Sequence, residues 1–101
     1  MKALYNLDEI REKLRPIFEA APIYKAILFG SYAKGAAMAK SDIDIVIDSR
    51  GEIRGIDFFG VLEDIVVTLN MDVDLIEASE IRQDSPLLDE IDKSGVTIYE
   101  R

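Results

Sequence analysis

The 101-residue chain has no cysteine and no histidine. Without cysteine there is no disulfide, no thiolate nucleophile and no cysteine-held zinc. Without histidine the commonest general base and the commonest transition-metal ligand are both missing. Any catalysis therefore rests on carboxylates, hydroxyls, lysines, arginines and backbone groups. Any metal is held by oxygen, which points to magnesium, calcium or manganese. Basic residues are also short: 12 Lys and Arg stand against 20 Asp and Glu, a net charge of −8. A chain so acidic lacks the cationic surplus that displaces counterions from a nucleic-acid backbone, so direct nucleic-acid binding is not expected. A small phosphate ligand held through a divalent cation stays open. No apolar run approaches the about 20 residues that a membrane span needs. The first 20 residues are charged and helix-patterned, unlike a signal peptide. The expectation is a cytoplasmic protein with no membrane partner.

An apolar fraction of 49% and this length fit one domain, residues 1–101, with a single core. Leu7, Ile10, Leu14, Ile17, Phe18 and Ala21 recur at helical spacing, so 7–20 reads as an amphipathic helix, with a kink or an early end at Pro16. Residues 24–29 read as a strand, and 42–48 alternate strictly: Ile43, Ile45 and Ile47 on one face, Asp42, Asp44, Val46 and Asp48 on the other. A loop with Gly51 and Gly55 precedes a second helix, which faces the core through Phe58 or Phe59, Leu62, Ile65, Val66 and Leu69. Residues 72–76 form a third strand. Ser85-Pro86 opens a last helix that closes at Lys93 and Gly95, and 96–99 form the final strand. Too little chain joins 24–29 to 42–48 for a parallel crossover, so these two strands pair antiparallel. The fold class is α/β (α+β), a two-layer domain with a mixed sheet of about four strands and helices packed against it.

The stretch GSYAKGAAMAKSDIDIVID, residues 30–48, carries the chemistry. Gly30 and Gly35 stand five apart as in a P-loop, but Ala36-Ala37 follow where lysine and serine or threonine belong. No G-x-G-x-x-G occurs. What is left is a strand ending in Gly30-Ser31, able to direct backbone N–H groups and a hydroxyl at an anion, with Lys34 and Lys40 at hand. On its own this is an ordinary turn. Asp42 and Asp44, at i and i+2 of a strand, share a face about 6.6 Å apart. Two ionised carboxylates so close call for a compensating cation, and a pair of divalent ions about 3.5–4 Å apart fits between such groups. A solvent-facing edge strand would tolerate the same pattern. A third carboxylate favours the metal, and Asp72-Val73-Asp74 offers two candidates on one face, between which parity does not choose. Asp48 lies further along and is given a structural or solvent role.

With those residues set out, LFGSYAKGAAMAKSDIDIVI resembles the signature of the nucleotidyltransferase superfamily, a Gly-Ser at a strand end followed after ten residues by D-x-D. The chain resembles most closely the minimal, single-domain (MNT) members, over essentially its whole length. The resemblance implies that Asp42 and Asp44 bind two magnesium ions carrying ATP. It also selects Asp74 over Asp72 as the third carboxylate, near the metal that activates the acceptor hydroxyl. Gly30 and Ser31 would hold the β- and γ-phosphates, and Ser41, heading S-D-I-D-I, would lie with the nucleotide. Lys34 stands where the family has arginine, which keeps the charge and loses the bidentate fork. The reaction implied is attack of an acceptor oxygen on the α-phosphorus with release of pyrophosphate, for which no histidine is needed.

Larger relatives add domains that bind the acceptor; here a partner or a second copy of the chain would bring it. Minimal members resemble antitoxins that silence a HEPN-type ribonuclease toxin by adding AMP to one of its tyrosines. The expectation is thus an ATP-dependent protein adenylyltransferase acting as antitoxin on a HEPN-type toxin. Two alternatives stand beside it: a non-catalytic module that neutralises the partner by covering it, and the catalytic subunit of a two-component small-molecule nucleotidyltransferase. Tyr5, Tyr24, Tyr32 and Tyr99 are further hydroxyls, none singled out by the pattern.

Overall fold

A computed structural model describes residues 5–30, 33 and 42–101. Its elements are α1 (Leu7–Ala20), β1 (Lys25–Phe29), β2 (Ile43–Asp48), α2 (Ile56–Leu69), β3 (Val73–Glu77), a short 3-10 turn (Ala78–Glu80), α3 (Pro86–Ser94) and β4 (Val96–Glu100). The strands form one mixed sheet in the order β3-β2-β1-β4. β1 pairs antiparallel with β2 and with β4, as the short β1–β2 connection requires. β2 and β3 are parallel, and α2 supplies the crossover that a parallel pair needs.

Three of the helix ends follow directly from side-chain chemistry. Asn6 caps α1 by accepting from Glu9 N at 2.8 Å, while Glu9 Oε1 accepts from Asn6 N at 3.1 Å, a reciprocal capping box. α1 does not end at Pro16 but runs on to Ala20. Pro16 is exposed, so only one hydrogen bond is forfeited while Leu14 and Phe18, on either side of it, stay fully buried. Arg101 reaches back to the carbonyls of Phe18, Glu19 and Ala21 and so satisfies acceptors at the end of α1. Ser85 caps α3 by accepting from Leu87 N at 3.2 Å, with Pro86 in the first turn.

The pleat sorts the core into two. On one face Ile43, Ile45, Ile47, Ala26, Leu28 and Ile98 pack against Ile10, Leu14 and Phe18 of α1 and Val61, Ile65 and Leu69 of α2. On the other, Phe29 and Val46 pack with Ile91 of α3, joined by Ile27, Ile76 and Leu87. Helices therefore cover both faces of the sheet rather than forming two layers. The reason is β2 itself: Val46 sits among the aspartates of its face and needs cover as much as the isoleucines do.

One buried polar group ties the sheet together. Glu77, at the end of β3, accepts through Oε2 from Ser49 Oγ at 2.6 Å and Ser49 N at 3.2 Å, and through Oε1 from Ser79 N at 3.2 Å. Ser49 Oγ in turn accepts from Ile53 N at 3.2 Å. A carboxylate only 5% exposed is tolerated because both of its oxygens are satisfied.

Candidate active site

Asp44 is the second residue of β2 and Asp74 the second of β3, and the parallel register places them directly opposite each other. Registered partners in a sheet point to the same face, which is the α3 face here. The face follows from Val73 and Leu75, which pack with the α1–α2 core and leave Asp74 on the opposite side. Asp72 precedes the strand and contributes its backbone carbonyl to Ile43 N at 3.1 Å. Asp42 lies just before β2, exposed and of the same parity as Asp44. Asp48, at the far end of β2, accepts from Arg50 N at 2.9 Å and shapes the following turn, the structural role expected of it.

The electrostatics of the pair are those of two carboxylates competing for one charge. Asp44 is pushed from 3.8 up to about 6. Burial is the largest cause, followed by the hydrogen bond to the Asp74 side chain and the charge of Asp74, then Asp42 and Glu90 of α3. Without a cation, burial and the neighbouring carboxylates make Asp44 keep its proton to a higher pH than an open carboxyl does. No three acidic side chains among the described residues are gathered into a ready-made metal cage. The donor set nevertheless suits a hard divalent cation: carboxylate oxygens only, mutually repelling, with Asp44 pushed upward by burial and by its acidic neighbours.

Gly30 completes this corner. It follows β1, has φ +74°, and lies so close to Asp44 that a Cβ built on it would fall on Asp44 Oδ2. Glycine is required there twice over, for the left-handed backbone and for the carboxylate oxygen that occupies the place of its side chain. The family resemblance assigned Gly30 to the phosphates; its contact with Asp44 was legible only once β1 and β2 were paired, with Phe29 opposite Asp44. Ser31, Lys34 and Ser41 lie outside the described residues, as do Tyr32 and Lys40.

Glu90 is the acidic neighbour that sequence reasoning missed. Its helical position on α3 carries no signal until α3 is laid across the sheet. The described tyrosines have other engagements: Tyr5 donates to Leu69 O at 2.9 Å, Tyr24 donates to Glu52 at 2.6 Å and Tyr99 accepts from Arg101 at 3.3 Å. Tyr24 precedes β1 at the end of the sheet remote from Asp44. A cavity of about 660 Å³ lies elsewhere, between the start of α2 and the end of β3, with Arg54, Phe58, Phe59 and Glu80 on its walls. None of the aspartates lines it. Among the described residues no helix is long and apolar enough to cross a membrane.

The chain and its fold are similar to those of known proteins. The family model described as "Polymerase beta, Nucleotidyltransferase" matches residues 12–101. "Putative protein adenylyltransferase MJ0435" of Methanocaldococcus jannaschii is 30% identical over 83 residues, covering 82% of this chain and 86% of its own. "Putative protein adenylyltransferase MJ1305" of the same organism is 34% identical, over 99% of this chain and 74% of its own. Among solved structures, a toxin–antitoxin with AMP-PNP superposes with a TM-score of 0.77 at 22% identity, covering 90% of this chain and 73% of that one. The tri-AMPylated Shewanella oneidensis HEPN toxin in complex with MNT antitoxin gives 0.72 at 18% identity, covering 94% of this chain and 73% of that one. At those identities the structures show a common fold, while the family model and the M. jannaschii relatives show descent: the chain belongs to the polymerase-beta nucleotidyltransferase family and is a nucleotidyltransferase.

Proposed function

We propose that this nucleotidyltransferase moves AMP from ATP to a hydroxyl, a tyrosine in the first instance, of a HEPN-type toxin and so acts as its antitoxin. The observation that carries the proposal is the pairing of Asp44 with Asp74 across β2 and β3, beside Gly30. The names of the M. jannaschii relatives supply the class of acceptor, a protein. The fold neighbours, solved as toxin–antitoxin complexes, support the partner.

Asp42, Asp44 and Asp74 are the residues that would hold magnesium, taken to be two ions, and bound magnesium would neutralise triphosphate charge and lower the pKa of the acceptor hydroxyl. The protein's own contributions are positional. Gly30 keeps the backbone close to Asp44, and Ser31 with Lys34 and Ser41 is assigned to the nucleotide. Asp74, exposed where Asp44 is partly covered, faces the arriving acceptor and takes up its proton. The acceptor oxygen bonds to the α-phosphorus, the bond to the β-phosphate bridge breaks, and pyrophosphate leaves.

The test is incubation with ATP, magnesium and the HEPN-type protein of the same genome, read by intact mass. A gain of one AMP or a whole multiple on the partner is expected, abolished by the double substitution Asp42→Asn, Asp44→Asn. If that variant still neutralises the partner fully, the protein works by covering it and catalysis is not its function. Transfer to aminoglycosides instead of protein would support the small-molecule reading.

A further inference from the structure

Helix α2 is apolar on two sides. Val61, Ile65 and Leu69 bury its inner face, yet Ile56 is 87%, Phe59 65% and Val67 72% exposed. At 100° per residue Ile56, Gly60, Glu63 and Val67 fall on one stripe, opposite the buried residues, with Phe59 along its border. Gly60 stands in the middle of this stripe. A mid-helix glycine weakens a helix, and nothing inside the molecule requires this one, since a Cβ there would meet no atom within 4 Å. On the outside it leaves a notch between Ile56 and Val67. Within the helix the charges are of one sign: α2 carries Asp57, Glu63 and Asp64 and no lysine or arginine, while Arg54 stands just before its start on the cavity wall. Phe59 also lines the cavity at the start of α2, so stripe and cavity form one continuous surface.

The geometry points to α2 as the docking surface for the acceptor protein. Its occupant is an amphipathic helix of that partner whose apolar stripe is bordered by Lys or Arg. Three exposed apolar side chains on one helix favour a partner that covers them, and the acidic residues of α2 favour a cationic partner over a second copy of this chain, which has a net charge of −8. Four residues separate Leu69, the end of α2, from Asp74, and β3 is the outermost strand on that side. Asp74 lies on the α3 face and α2 on the other, so a partner laid along α2 brings a hydroxyl to Asp74 by reaching round the β3 edge. The inference rests on the proposed protein acceptor.

The experiment pairs the full-length chain with the HEPN-type protein and compares wild type, the double variant Ile56→Ser, Val67→Ser, and Glu63→Lys. All three positions are solvent-exposed, so folding is undisturbed, and ATP affinity serves as the control. The double variant is expected to bind the partner at least tenfold more weakly and to raise the KM for the partner equally, with kcat and ATP affinity unchanged. Glu63→Lys is expected to weaken binding at low salt and to flatten its salt dependence. Partner affinity equal to wild type in the double variant overturns the proposal. So does a wild-type dimer that the double variant converts to monomer while partner affinity stays put. The Asp42→Asn, Asp44→Asn variant separates the two readings. If wild type and this variant both bind through α2 but no AMP is transferred, docking stands and catalysis fails. If transfer proceeds and the α2 variants keep the wild-type KM, catalysis stands and docking fails.

Discussion

Replacing Asp44 by asparagine should make the metal-free protein more stable while ending its activity. Asp44 holds its proton up to about pH 6 in the folded chain, against 3.8 in an open one. Between those values the folded state binds more proton than the unfolded state, so stability falls as pH rises from about 4 to about 6. Above that window the ionised folded group is a standing cost, and below it the cost vanishes. Two pH units correspond to about 3 kcal/mol. Asp44 is only partly buried, and solvent screening reduces this to about 1 kcal/mol, or about 4–8 °C in Tm for a chain of this size. Asparagine keeps a donor for Asp74 and never ionises. In EDTA at pH 8, Asp44→Asn should melt about 4–8 °C above wild type, and the gap should close towards pH 4. Subtracting one melting curve from the other removes the other carboxylates from the comparison. With saturating magnesium and ATP the order should reverse, since ligand at 100 times its Kd adds about 2.7 kcal/mol to wild type alone. A gap that does not change with pH, or a variant less stable than wild type at pH 8, would refute the reasoning.

Other outcomes follow from the same contacts. Gly30→Ala should destabilise by about 1–3 kcal/mol, because it forces a side chain into the left-handed region and onto Asp44; it should also cut transfer at least about 100-fold, read by urea melts and by AMP incorporation. Glu77→Ala should cost about 2–4 kcal/mol by stranding the donors of Ser49 and Ser79, whereas Glu77→Gln, which keeps an acceptor oxygen, should cost less. Magnesium affinity, followed by calorimetry, should weaken below pH 6, where binding releases about one proton, as cation and proton compete for Asp44.

The elements were legible because their signals are local: alternation in 42–48, the Ser85-Pro86 start, the period of α1. So was the antiparallel pairing of β1 and β2, which loop length alone dictates. Three things needed the assembled sheet. Pro16 is a breaker in the abstract, and only the burial of Leu14 and Phe18 around it explains a helix that continues. Phe58 and Phe59 stand as alternatives for the core by pattern, and the helical phase set by Val61, Ile65 and Leu69 turns Phe59 outward while Phe58 packs against the core. In the site, Asp72 and Asp74 have equal standing by parity and the family resemblance selects Asp74, but its place directly opposite Asp44 needed the register of β3 on β2. Long-range pairing also underlies what went unseen, namely Glu90 near the pair, Gly30 against Asp44 and the buried Ser49–Glu77 contact.

That last contact works as an index pin. A parallel strand pair can slide, and a slip by one residue turns every side chain to the wrong face. Glu77 fixes the end of β3 to the residue that follows β2, so the strands engage at one setting only. The five positions from Asp44 to Ser49 and the three from Asp74 to Glu77 then act as two matched rulers. Substitutions along either strand leave the rulers intact, whereas a single inserted residue between pin and aspartate would separate the carboxylates without altering either. In this protein the active site is thus specified partly by counting, at a place about 10 Å from the chemistry.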